Sequence, residues 1–159
     1  MMNPAANPLL LVVLLSALVP VAIVALFAVI LATISRLGGW HQLAENYPAQ
    51  TMPRGRQFGM QSVQLRRWAG YNNCVHFAAD ESGLWLWCMW PFTFQHPQLY
   101  FPWSEISLSN LRVLGIIPVT QIQLRQVPSV PLRISQKLAQ RLQSAAGKSW
   151  PAYPQAEEN

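Results

Sequence analysis

Cys74, His76 and Cys88 are the residues of this chain best suited to ligate a metal or attack an electrophile, since thiolate and imidazole are its strongest soft ligands. Their spacing argues against one shared site. In the hairpin expected around them, Cys74 and His76 point to one face of a sheet and Cys88 to the other, with no fourth ligand apparent. The carboxylates have structural explanations. Glu45 belongs to the polar side of a short helix, Asp80 and Glu81 to a turn, and Glu105 to the start of a strand. His41 and His96 are expected at the surface. The sequence contains no Gly-rich phosphate loop, Cys-x-x-Cys, His-Glu-x-x-His or Gly-x-Ser-x-Gly motif. It also lacks a nucleophile and base at a meaningful spacing. These observations favour a non-catalytic protein with no cofactor and no bound metal. The alternative is an accessory subunit or enzyme with a site near Glu105, His76 and Cys74.

A second set of residues points to binding. Three of the seven tryptophans fall in the run from Trp85 to Phe94. The clearest hairpin spans Asn72 to Trp90 and turns at Asp80-Glu81-Ser82-Gly83, which pairs Ala79 with Leu84. That register puts Val75, Phe77, Ala79, Leu84, Leu86 and Cys88 on the core face, and Cys74, His76, Ala78, Trp85, Trp87 and Met89 on the other. Trp85, Trp87 and Met89, continued by Trp90 and Phe92, form the candidate interaction surface. The competing expectation is that a helix covers the stripe.

These residues must be carried by a small fold. With 159 residues, one anchor and one domain fill the chain. Leu9 to Ile34 is apolar except for Ser16, Pro20 and Thr33, and its 26 residues would reach about 39 Å as a helix. That exceeds a hydrocarbon layer of roughly 30 Å, so tilt or a frayed end is expected. Residues 1–8 form a short leading segment without Lys or Arg, unlike the basic start of a secretory signal. Pro20 should kink the helix.

Residues 35–55 read as a juxtamembrane helix and linker. Gly38-Gly39 breaks the long helix, and Trp40, Leu43, Ala44 and Tyr47 make one apolar face before Pro48. Trp40 and Tyr47, with Arg36, suit the membrane interface, and packing against the domain is the equal alternative. Residues 56–147 read as a mostly β (α+β) domain. Beyond the hairpin, strands are expected at Gln57–Leu65 with one bulge, Gln98–Phe101, Ile106–Leu114 and Val119–Arg125, the last two separated by a turn at Pro118. A terminal amphipathic helix follows, capped by Ser135, striped by Leu138, Leu142 and Ala145, and stopped by Gly147. Residues 148–159 read as a disordered tail.

A strand meander or partly open barrel closed by a C-terminal helix resembles a pleckstrin-homology-like or GRAM-like domain. Leu99-Tyr100-Phe101-Pro102-Trp103-Ser104-Glu105-Ile106, with the preceding Gly83-Leu84-Trp85-Leu86, carries the resemblance, and Trp40 to Tyr47 is similar to a segment of small uncharacterised bacterial single-pass membrane proteins. The resemblance implies a lipid, peptide or assembly platform. The basic loop that grips phosphoinositides in such domains has no match in this sequence, so no headgroup pocket is carried over.

Charge completes the expectations. Eleven Lys and Arg against six acids give +5, and the first charged side chain is Arg36. Arg36, Arg54, Arg56, Arg66 and Arg67 all follow the apolar helix, which predicts an outside N-terminus and a cytoplasmic domain at the inner (plasma) membrane. The expected partners are the lipid bilayer and a membrane protein or a second copy. Specific nucleic-acid binding is not expected, because the basic residues are not clustered in a recognisable motif.

Overall fold

The structure is a computed structural model and describes residues 8–153. One helix, α1 (Pro8–Gly38), runs through the whole apolar stretch and one turn beyond it. Its side chains are almost all exposed as far as Ile30, while Leu31, Ser35 and Gly38 are buried. The helix therefore ends inside the domain. Only Gly39, at φ +98°, separates it from α2 (Trp40–Asn46). A Cβ on Gly39 would lie 2.7 Å from Val130 Cγ1, so both the backbone angle and the space require glycine there.

Seven antiparallel strands form one curled sheet, a half-barrel in the order β4-β3-β2-β1-β7-β6-β5. They are β1 (Arg56–Leu65), β2 (Ala69–Ala79), β3 (Gly83–Cys88), β4 (Leu99–Pro102), β5 (Ile106–Val113), β6 (Ile117–Leu124) and β7 (Leu132–Ser135). The long β1 joins the two halves, because it pairs with β2 along most of its length and with β7 at Gln64 and Leu65. Two register irregularities interrupt its pairing, between Phe58 and Gln61 and between Gln61 and Val63, where a single bulge was expected.

The hairpin pairs as predicted, with Ala79 opposite Leu84, Phe77 opposite Leu86 and Val75 opposite Cys88. Val75, Phe77, Leu84 and Leu86 are fully buried in the concave core. The apolar faces of α2 (Trp40, Leu43, Tyr47) and of α3 (Gln136–Ala146; Leu138, Ala139, Leu142, Ala146) fill the same core. Ser135 Oγ accepts from Leu138 N at 3.2 Å and caps α3, and Gly147 closes it.

Three expectations are corrected. Pro118 lies within β6, opposite Arg112, rather than in a turn; β7 pairs with β6 only from Val119 onward, so one side of Pro118 carries no ladder. Strand β7 lies ahead of the terminal helix, in a stretch where none was expected. The ordered domain also extends past Gly147: Trp150 and Tyr153 pack on the core, and Trp150 lies 5.4 Å from Trp103. The rest of the expected tail, 154–159, and most of the leading segment, 1–7, lie outside the described residues.

Candidate functional site

The strongest assembly of functional side chains is the β3–β4 connection, Met89 to Gln98, which packs along the last third of α1. Phe92 and Phe27 of α1 have ring centroids 6.2 Å apart. Ser35 Oγ donates to Gln95 O at 2.5 Å, and Trp40 Nε1 donates to Pro97 O at 2.9 Å. Within the loop His96 turns inward, 2% exposed, into a three-ring cluster with Trp40 and Tyr71 at 5.2 and 5.4 Å. The Phe94 carbonyl, 2.9 Å from His96 Nδ1, can only accept, so Nδ1 carries the proton and Nε2 accepts from Tyr71 Oη at 3.1 Å. Burial pushes the imidazole below its ordinary pKa, and its bond to Phe94 O opposes this in part. The same burial pushes Tyr71 well up. His96 was expected at the surface; it is instead the loop's internal support.

On the far side of the loop the aromatics face outward. Trp90 is 81% exposed and Phe94 49%, whereas Met89, expected on the outer face, and Phe92 are half-buried and pack against the core. Next to α1 lies the β1–β2 turn, Arg66-Arg67-Trp68. A Cβ on Gly38 would sit 3.1 Å from Ala69 Cβ, and one on Gly39 3.2 Å from Arg66 Nε. Arg36, Arg67 and Trp68 are exposed on this margin.

The predicted stripe is only partly available as a surface. Trp85 does lie on the face opposite the core, in register with Ala78 and Tyr100, but it is 2% exposed and its ring is 4.7 Å from that of Tyr100. Its Nε1 has no hydrogen-bond partner among the described residues. Neither α2 nor α3 is the cover, since both pack into the concave face. Trp87 is half-buried, stacked on His76 at 5.3 Å with planes 13° apart. Two of the three interface residues are likewise internal. Trp40 is fully buried, and Tyr47, 4% exposed, donates to Glu105 Oε2 and accepts from Gln126 N, both at 3.1 Å. Of the three, only Arg36 is exposed.

The residues with chemical potential are dispersed. Glu105 bonds Tyr47, His76 stacks on Trp87, and Cys74 belongs to the core. Asn73 at φ 53° breaks the alternation of β2, so Tyr71, Cys74 and Val75 are all buried; this corrects the assignment of Cys74 to the outer face. Both cysteines are free thiols. Burial pushes Cys88 up, and neighbouring Cys74 adds to it. Among the described residues no three His, Cys, Asp or Glu side chains gather to hold a metal ion. An open hollow of about 600 Å³ beside β1 and β6 is lined by Met60, Ser62, Asn73, Ile117 and Arg133 among others, without a carboxylate, imidazole or thiol.

A further surface went unremarked in the sequence: the β5–β6 hairpin tip. Leu114 is 85% exposed, Ile116 77% and Ile117 51%. The run Leu111-Arg112-Val113-Leu114-Gly115-Ile116-Ile117 signals it, because apolar residues crowd a Gly-centred turn where polar ones are usual.

Comparison with protein-family models, curated proteins and solved structures finds no match for the chain.

Proposed function

We propose that this protein is a membrane-anchored, non-catalytic interaction module: α1 crosses the bilayer once and holds the β domain at the cytoplasmic surface, where the β5–β6 tip engages a membrane protein or a second copy. The observation that carries this is α1 itself. Its side chains from Leu9 to Val24 are all exposed and, apart from Ser16, all apolar, and a bare apolar helix of that length has no stable place in water. A retained anchor rather than a removed leader is supported by the buried Leu31, Ser35 and Gly38, which make the helix end part of the domain. The arginines after α1 favour the cytoplasmic side. The strand order and closing helix support a pleckstrin-homology-like or GRAM-like module used as a platform.

Alkaline carbonate extraction of cell membranes should leave the full chain in the pellet, and a reporter that works only in the cytoplasm should be active when fused after Asn159. Release into the supernatant removes the anchor, and activity of a periplasmic reporter reverses the side. Leu114→Ser with Ile116→Ser should abolish partner capture or self-association in mild detergent while leaving stability within about 0.5 kcal/mol. Unchanged capture by a protein that does associate would show that the tip is not the contact.

A further inference from the structure

We propose that the β3–β4 loop is a second membrane contact: Trp90, Phe92 and Phe94 enter the bilayer alongside α1, with Arg36, Arg67 and Trp68 on the anionic headgroups around it. This rests on α1 being a membrane anchor and says where the domain sits on it. The occupant follows from continuity with the helix. The apolar run from Leu9 to Ile34 is longer than the hydrocarbon layer by about 9 Å, or roughly six residues. When all of that excess is placed on the domain side, the hydrocarbon still extends from Leu9 to about Ala28. Phe27 lies inside that limit, and Phe92 is packed on Phe27. Any other placement of an upright helix takes Phe92 deeper.

The loop is held in this position by fixed contacts. Ser35 with Gln95 and Trp40 with Pro97 tie it to the helix end and α2, and Tyr71 of β2 holds His96, whose other ring nitrogen donates to the Phe94 carbonyl within the loop. Its remaining side chains are those that partition into an interface: Trp90 and Phe94 are exposed, and no charged residue lies between Met89 and Gln98. The exposed Arg36 and Arg67 with Trp68 border α1 at the level where headgroups would lie, and their positive charge matches anionic phospholipid.

The test uses the full chain in vesicles of phosphatidylcholine and phosphatidylglycerol, with an environment-sensitive fluorophore on one introduced cysteine: Trp90→Cys, Ile23→Cys or Ser82→Cys. Cys74 and Cys88 are buried, so the unsubstituted chain provides the labelling blank. Nitroxides on the lipid tails should quench the probes at 90 and 23, and aqueous iodide should quench only the probe at 82, on the turn at the other end of the β2–β3 hairpin. Phe94→Cys provides a second loop position. A loop probe quenched by iodide, or shielded from both quenchers, while the probe at 23 stays in lipid overturns the second contact and leaves the anchor standing. A probe at 23 quenched by iodide overturns both.

Discussion

Replacing Trp85 separates its two opposed contributions to stability. Its ring is buried against Tyr100, and truncating a buried tryptophan to alanine costs about 3–5 kcal/mol. Its Nε1 has no partner among the described residues, and deleting an unsatisfied buried donor returns about 1–3 kcal/mol. Trp85→Ala should therefore lose about 2 kcal/mol, a large share of the stability of a small domain. Trp85→Phe keeps most of the ring and removes the donor, so its net change should stay within about 1 kcal/mol of zero. Trp90→Ala, on an exposed side chain, should stay within about 0.5 kcal/mol. Urea unfolding of the full chain in mild detergent, followed by circular dichroism, provides all three values, because it does not depend on tryptophan emission. A loss well above about 1 kcal/mol in Trp85→Phe would refute the reasoning by showing that the indole N–H is satisfied in the folded protein. No loss in Trp85→Ala would mean that the ring is not buried at all.

Gly39→Ala should destabilise the domain by more than about 1 kcal/mol in the same assay, since it combines a left-handed backbone with a Cβ 2.7 Å from Val130; an unchanged midpoint would show that the α1–α2 joint can relax. His96 should make stability fall on acidification. Its folded pKa lies below the ordinary value of 6.5, so the unfolded chain takes up the proton first. The contribution is intact above pH 6.5 and is lost as pH falls toward and through the depressed folded value. Melting temperatures between neutral pH and about pH 5 should show this slope, and His96→Asn should flatten it. Cys74 and Cys88 should resist alkylation in the folded protein and both react after denaturation without reductant; failure of both to react then would reveal an oxidised pair.

Periodicity made the large elements legible. The apolar run, the Trp40–Tyr47 face, the Asp80–Gly83 turn with its register and the Ser135-capped helix all follow from residue types at fixed spacing. What escaped depends on long-range packing. Strand β7 has four residues, Leu132 to Ser135, the last of them the helix cap itself, and its alternation becomes a strand only because β1 and β6 flank it. The burial of Trp85 needed Tyr100 from β4, fifteen positions away, and that of His96 needed Tyr71 and Trp40 from two other elements. Asn is one of the few residue types that adopt the left-handed angle readily, but only the pairing of β2 shows that Asn73 uses it inside a strand, where it turns Cys74 inward. The exposed parts of the candidate site, Trp90 and the half-buried Phe92, were visible as an aromatic run. Their seat on α1 was not, because nothing in a sequence states that a loop sixty residues later lies against a given helix turn.

The joint at Gly39 gives the molecule a mechanical property. One residue joins α1 to α2, and the end of α1 is buried in the domain at Leu31, Ser35 and Gly38, so helix and sheet move as one lever. Were tilt alone to absorb the mismatch, an apolar run of about 39 Å would lean by about 40° in a layer of 30 Å and by about 32° in one of 33 Å. The domain would rock through the difference, about 8°, carrying the β5–β6 tip with it. Bilayer thickness would thus set the angle at which that tip is presented to a neighbour.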